Sequence, residues 1–207
     1  MKLIKQIKSL DKGIINQVES RLSEFQAFKH KTNLDWFSEL CFCILTANSK
    51  ARTALAIQKE LGFQGFAKHS QSKLAETIRR NKHRFHNNKS RYIVEARKNL
   101  DIKDIITKHK TSQEAREWLV ENIKGLGYKE SSHFLRNVGY TDLAILDRHV
   151  INLMLENKLI KIKPKSLNRN TYLEMEKKLE ILSKKLQLNQ AKLDLYMWYL
   201  KAGEVLK

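Results

Sequence analysis

A lysine follows directly on a glycine hairpin, and an aspartate lies eighteen positions further on. The hairpin reads Ile123-Lys124-Gly125-Leu126-Gly127-Tyr128-Lys129, and the aspartate sits in Leu146-Asp147-Arg148-His149-Val150. Gly125 and Gly127 carry no Cβ, so the backbone can turn sharply there and come close to another surface. A hairpin of bare N–H groups next to a helix N-terminus suits a phosphate. Lys129 is an amine nucleophile that can form a Schiff base with a sugar carbon. Asp147 can manage protons or steady a developing cation. Plainer readings stand beside these. Lys129 is also a first-turn helix residue, and aspartate before a hydrophobic run is a favoured N-cap.

The elements that must position these residues read as helices. One proline, Pro164, and seven glycines leave a chain rich in good helix formers. Apolar residues recur at helical spacing from Leu3 to Lys31, with Gly13 as the expected break. Asp35 is expected to cap a helix running through Trp36, Phe37, Leu40, Phe42, Ile44 and Leu45. A helix from Ser49 to Leu61 should stop at Gly62. Shorter helices fit Ser72 to Arg80 and Lys89 to Asn99. Ser112 can cap Gln113 to Ile123, and Lys129 opens Glu130 to Val138, which Gly139 ends. Asp147 can cap Arg148 to Asn157. Helices over Asn170 to Lys185 and Asn189 to Glu204 complete the chain. No alternating strand pattern, low-complexity tract or internal repeat stands out. The clearest connector is Lys161-Ile162-Lys163-Pro164-Lys165-Ser166.

Charge narrows the partner. The 207 residues carry 40 Lys and Arg against 22 Asp and Glu, a net charge of +18 with a pI of 9.9. A lysine-rich solvated surface normally brings matching glutamates. Here the excess is one-sided, which fits nucleic acid. The longest apolar stretch, around Leu40 to Leu45, is far too short to span a bilayer. Met1 to Leu10 alternates lysine with aliphatics and has no signal-peptide core. Cys41 and Cys43, two apart, do not share a helix face. They fit reduced, partly buried thiols rather than a metal site.

The ordered motifs resemble the helix-hairpin-helix DNA glycosylase superfamily, the relatives of endonuclease III. That family's hairpin has the form L-P-G-h-G-x-K, followed about eighteen residues later by V-D-T-H-V. Two earlier segments match as well. Ile44-Leu45-Thr46-Ala47-Asn48-Ser49 resembles L-L-S-A-Q-A, and Phe85-His86-Asn87-Asn88-Lys89-Ser90-Arg91-Tyr92-Ile93 resembles Y-N-x-K-A-x-x-I. Lys124 replaces the usual proline. The four C-terminal cysteines that hold the iron–sulfur cluster of endonuclease III are missing, so no cofactor and no metal are expected. There is no sequence room for the extra N-terminal sheet domain of the eukaryotic 8-oxoguanine enzymes. Within the superfamily the chain is similar to the archaeal-type 8-oxoguanine DNA glycosylase/AP lyases, the second class of these enzymes, over its full length.

The resemblance implies an all-α fold of two helical subdomains with a cleft between them and a helix-hairpin-helix motif. Residues 33–140 would form one subdomain, and residues 1–32 with 141–207 the other. Lys129 and Asp147 would face each other across the cleft. It implies a bifunctional base-excision repair enzyme acting on double-stranded DNA with a damaged base. Lys129 would attack C1′ of an extruded nucleotide and displace the base, and β-elimination from the imine would cut the strand. A free lysine titrates at about 10.4, so burial and neighbouring positive charge must favour its neutral form. Asn48 stands where the family's glutamine fills the space left by the extruded base. Gly125, Gly127, Asn48, Lys89, Arg148 and His149 form the expected DNA-contacting set. Phe85, Trp198 and Lys207 form the expected base pocket. In 8-oxoguanine N7 is a donor, whereas in guanine it is an acceptor. The chain's last residue, Lys207, would read this through its side chain or terminal carboxylate. A monomer in the cytoplasm, at the nucleoid, is expected.

Three alternatives remain open. The same hairpin serves glycosylases for thymine glycol or mismatches, because its lysine acts on sugar rather than base. Helix-hairpin-helix units also serve as phosphate grips without activity. A helical scaffold in an RNA assembly would explain the charge but not the ordered motifs.

Overall fold

Seven helices start on a polar side chain that accepts a backbone N–H, and these caps set much of the architecture. The structure, a computed structural model, describes residues 2–207. Among them are twelve α-helices, one short 3-10 turn at Arg97–Asn99, and no strand. The backbone divides into two compact units: Lys29–Val138, and the residues up to Phe28 together with Gly139–Lys207. The family resemblance implies boundaries at 32/33 and 140/141, a few residues further along the chain.

The central unit contains α3 (Asn33–Thr46), α4 (Ala51–Lys68), α5 (Gln71–Arg80), α6 (His86–Ala96), α7 (Ile102–Thr107), α8 (Ser112–Asn122) and α9 (Tyr128–Asn137). Helix α3 is its axis. Ten of its 14 residues are buried, so it is apolar all round rather than on one stripe. It packs against α4, α6, α7 and α9. Trp36 meets Phe134 of α9 edge-on at 5.9 Å. Cys41 and Cys43 are both buried on this helix, and burial pushes the Cys41 thiol well above its ordinary range. The buried Glu39 carboxylate accepts from Asn137 Nδ2 at 2.6 Å and Gln58 Nε2 at 3.2 Å. Arg136 donates to the Asn137 side-chain oxygen at 2.9 Å. This network ties α9 and α4 to α3, and a buried polar group must be satisfied in this way to be tolerated.

The other unit contains α1 (Lys2–Lys8), α2 (Lys12–Phe28), α10 (Arg148–Glu156), α11 (Arg169–Leu186) and α12 (Gln190–Ala202). Helix α12 packs against α2, α10 and α11. Leu3 N donates to Asn157 Oδ1 at 2.7 Å and fastens α1 to the end of α10.

Several local expectations are corrected. The chain breaks at Ser9–Asp11, not at Gly13, because Asp11 Oδ1 accepts from Ile14 N at 3.0 Å and starts α2 there. Thr32 rather than Asp35 caps α3; Asp35 is its reciprocal partner, accepting from Thr32 N at 3.0 Å. Thr111, not Ser112, caps α8 in the same way with Glu114. Gly62 does not end α4: it takes φ 56 and ψ −175, kinks the chain, and the helix resumes to Lys68. Helix α7 was not anticipated.

Candidate active site and nucleic-acid interface

The hairpin joins α8 to α9. Gly125 has φ 91, a left-handed conformation that L side chains rarely adopt. A Cβ there would also lie 2.5 Å from Tyr92 Cδ2, because the Tyr92 ring packs under the turn. Gly127 is different. Its φ is −101, and a Cβ would meet Glu130 Oε2 at an ordinary 3.6 Å. Nothing in the folded chain requires glycine at 127. Gly127 is the N-cap residue of α9 and no side chain caps this helix, so the first-turn N–H groups are left to an outside acceptor.

Lys129 is the second residue of α9. Its side chain is 25% exposed, and its ammonium lies 3.4 Å from Glu130 Oε1. The residue before it is fixed from α8. Tyr128 donates to Glu117, and the fully buried Arg116 guanidinium lies 5.4 Å from the Tyr128 ring centroid. Arg116 also donates to Ser132 Oγ at 3.2 Å, one turn further along α9. Lys124, standing in the family's proline position, approaches Glu95 at 3.7 Å and the Tyr92 ring at 5.9 Å.

Lys89 is not where a DNA-contacting lysine belongs. It is only 5% exposed, and its ammonium donates to the Ile44 carbonyl at 2.6 Å. Burial lowers its pKa to about 8; Glu130 opposes this shift and the Lys129 charge adds to it. An ammonium held inside on a helix carbonyl is not offered to a phosphate.

Asn48 and Phe85 emerge from two neighbouring turns. Asn48 has φ 61 and is exposed just after α3. Asparagine tolerates this conformation better than most residues. Phe85 is 39% exposed at the start of α6, with the Arg84 guanidinium 5.2 Å from its ring centroid. His83 lies between the two turns and was not singled out from sequence.

In the other unit Asp147 caps α10, as expected. Its Oδ1 accepts from Val150 N at 2.7 Å, and Oδ2 has no partner among the described residues. The segment leading to it is pinned by α11. Tyr172 Oη donates to the Ala144 carbonyl at 2.7 Å and accepts from Leu146 N at 3.3 Å, while Glu176 accepts from Ala144 N at 2.9 Å. Tyr172 and Glu176 were not anticipated, because their helix reads simply as amphipathic. Arg148 is exposed beside Asp147. His149 stands edge-on against the Trp198 ring at 5.3 Å rather than free in solvent. Trp198 is half-buried, and its Nε1 is buried without a hydrogen-bond partner among the described residues. Lys207 is partly exposed at the far end of the described chain. The central unit thus holds Lys129 with Gly125, Gly127, Lys89, Asn48 and Phe85. The other unit holds Asp147 with Arg148, His149, Trp198 and Lys207.

A glycine hairpin that delivers a lysine into the first turn of a helix, in an all-helical chain, defines a helix-hairpin-helix protein of the DNA glycosylase class. The profile of the family described as 8-oxoguanine DNA glycosylase matches residues 18–188. The 8-oxoguanine DNA glycosylase/AP lyase of Methanocaldococcus jannaschii is 48% identical over 208 residues, covering 100% of both chains. The chain belongs to the 8-oxoguanine DNA glycosylase family. The crystal structure of the Methanocaldococcus jannaschii enzyme with a 15mer DNA containing 8-oxoguanine matches at a TM-score of 0.97 and 47% identity, covering all of both chains. That of the 8-oxoguanine DNA glycosylase of Thermotoga maritima matches at 0.94 and 40% identity, covering 100% of this chain and 99% of the other. No helix among the described residues is long and apolar enough to cross a membrane.

Proposed function

We propose that this chain removes 8-oxoguanine from duplex DNA and then cuts the abasic strand, with Lys129 as nucleophile and Asp147 as its acidic partner. The observation that carries the assignment is the Lys129 amine itself: partly exposed, in the first turn of α9, directly after a hairpin whose helix start no side chain caps.

The chemistry follows from these groups. The neutral Lys129 amine forms a bond to C1′ as the bond from C1′ to the base nitrogen breaks. Positive charge develops on the sugar as the base leaves. The Asp147 carboxylate, held by its cap bond with Oδ2 unused, stabilises that charge electrostatically. The covalent adduct becomes an imine when the sugar ring opens at O4′. Loss of a C2′ proton then expels the 3′ phosphate and cuts the strand.

The hairpin grips the backbone rather than the bases. Gly127 lets a phosphate approach closely, and the uncapped N–H groups of α9 receive it. Asn48 fills the space left by the extruded nucleotide, and its amide can hydrogen-bond the orphaned base. Phe85 and Trp198 offer ring faces to the extruded purine. A main-chain oxygen of Lys207 supplies an acceptor for N7–H, which guanine lacks. Arg148 reaches phosphate. The enzyme acts as a monomer on chromosomal DNA in the cytoplasm, at the nucleoid.

The test is borohydride trapping on duplexes carrying 8-oxoguanine, thymine glycol or an abasic site. The covalent complex should form with 8-oxoguanine and abasic duplexes and vanish in Lys129→Gln, which cannot form an imine, while duplex binding persists. A complex of normal yield in Lys129→Gln would move the nucleophile elsewhere. Preferential trapping on thymine glycol would change the lesion.

A further inference from the structure

A helix leaves its last four carbonyls without intrahelical partners. In α3 these belong to Cys43, Ile44, Leu45 and Thr46. All four are satisfied. Thr46 Oγ1 donates to the Cys43 carbonyl at 2.9 Å, and Ser49 N donates to that of Thr46 at 3.0 Å. The Lys89 ammonium donates to Ile44 at 2.6 Å, and His83 Nε2 to Leu45 at 2.9 Å. These last two arrive from α6 and from the turn before it, 45 and 38 residues along the chain, and both side chains are buried. The positive ammonium also complements the negative end of the α3 dipole. Two residues beyond this closed helix end stands Asn48.

His83 makes a second bond. Its Nδ1 accepts from Phe85 N at 3.2 Å, and the two rings meet edge-on at 6.3 Å. One imidazole therefore touches both the end of the helix that carries Asn48 and the backbone of Phe85. A ring that donates from Nε2 and accepts at Nδ1 is neutral and in a single tautomer. A protonated ring would turn a second donor toward the Phe85 N–H.

We propose that His83, supported by Lys89, is a positioning residue for base extrusion: it joins the Asn48 turn and Phe85 into one rigid lip. The inference rests on the roles proposed above for Asn48 and Phe85. The side chain that fills the vacated stack and the ring that receives the extruded base then keep a fixed spacing. Such spacing is the kind of pre-organisation that a process paying for unstacking must have. The lip should loosen in acid. Burial holds the His83 pKa below the ordinary histidine value, with Lys89 and His86 of α6 and Arg84 adding to the effect; the Leu45 carbonyl of α3 opposes it.

The test compares two single-turnover rates, base removal from an 8-oxoguanine duplex and strand cleavage at a preformed abasic site. Both reactions use the same nucleophile, so their ratio isolates extrusion. His83→Gln keeps a donor for the Leu45 carbonyl but leaves Phe85 N without an acceptor. His83→Asn does the reverse. Each should slow base removal roughly tenfold and abasic cleavage less than about twofold, in line with the cost of small misplacements. In the unsubstituted enzyme the ratio should fall toward acid pH, with a step below the ordinary histidine value of about 6.5. Both variants should lose that step. Parallel slowing of both reactions, or an acid step that persists in the variants, overturns the proposal. Asn48→Ala and Phe85→Ala must each slow base removal as well. If neither does, the assigned roles of Asn48 and Phe85 fail and the lip fails with them. If they do and the His83 variants do not, the positioning role fails alone.

Discussion

The Tyr92 ring occupies the space that any side chain at residue 125 would need: a Cβ on Gly125 would sit 2.5 Å from Tyr92 Cδ2. Of the two hairpin glycines, only Gly125 therefore answers to a demand of the folded chain; the demand proposed for Gly127 is the close approach of a phosphate. Gly125→Ala meets both a left-handed φ of 91 and the Tyr92 ring. Strain of about 1–2 kcal/mol from the first and about 1–3 kcal/mol from the second should appear as a lower melting temperature. Adding Tyr92→Ala to it should relieve the second cost and leave the first. Gly127→Ala should melt almost normally yet bind every duplex more weakly, whatever its sequence, because phosphate gripping carries no base information. Thermal melts and binding isotherms on undamaged DNA decide. Equal destabilisation by both alanines would remove the distinction.

Asp147 performs a structural task, and that task separates cleanly from catalysis by substitution. Asparagine is as good an N-cap as aspartate, so Asp147→Asn should keep the bond to Val150 N and the melting temperature. Turnover should fall by ~10²-fold or more if the carboxylate assists the chemistry. Asp147→Ala should add a cap loss of about 0.5–2 kcal/mol. Melting curves and single-turnover rates check both arms. A fully active asparagine variant would leave Asp147 as a cap alone.

What was legible in the sequence was local. The cap at Asp147, the hairpin between α8 and α9, and the helical character throughout follow from residue type and near-neighbour spacing. Glycine misled twice, because its freedom permits a break without requiring one. Gly13 sits inside α2, where Asp11 had already started the helix, and Gly62 kinks α4 without ending it. Lys89 misled for a different reason. Its position in a motif suggested an exposed DNA contact, but its burial depends on a carbonyl of Ile44, 45 residues earlier. His83, Arg116 and Tyr172 are invisible for the same reason: each acts on a backbone or ring brought near only by folding.

The buried Lys89 should leave a signature in the pH dependence of stability. Its folded pKa is lowered from 10.5 to about 8. Between those values the unfolded chain holds the proton and the folded chain does not, so stability rises with pH across that window. Below about pH 8 the charged buried group opposes folding. The relief on going from pH 8 to 10.5 is on the order of 3 kcal/mol. Lys89→Met leaves the Ile44 carbonyl without its donor and removes this titration. Denaturant unfolding at a series of pH values should show the stability difference moving in favour of the unsubstituted protein as pH rises. A constant difference from pH 7 to about 10.5 would mean that Lys89 titrates normally.

Discrimination between 8-oxoguanine and guanine is assigned to Lys207, and it can be tested apart from stacking. Lys207→Ala removes the side chain, and one residue added after Lys207 alters its main-chain acceptor. An ammonium has no acceptor, so only a main-chain oxygen of Lys207 can read N7–H, and its side chain can only donate, to the C8 carbonyl. Loss of the reading group should erode the preference for 8-oxoguanine by roughly tenfold to a hundredfold. That is the worth of one hydrogen bond to a charged group, about 1.5–3 kcal/mol. Cleavage at a preformed abasic site should be largely spared, because no base remains to be read. Trp198→Ala should behave differently. Its ring, edge-on to His149, offers a stacking face that any base can use. Its loss should slow base removal without making guanine a substrate. Single-turnover rates on 8-oxoguanine, guanine and abasic duplexes separate the two effects. If neither change at position 207 alters the preference, recognition lies with another group, and the unpartnered Nε1 donor of Trp198 becomes the first to examine, against the C8 carbonyl of the damaged base.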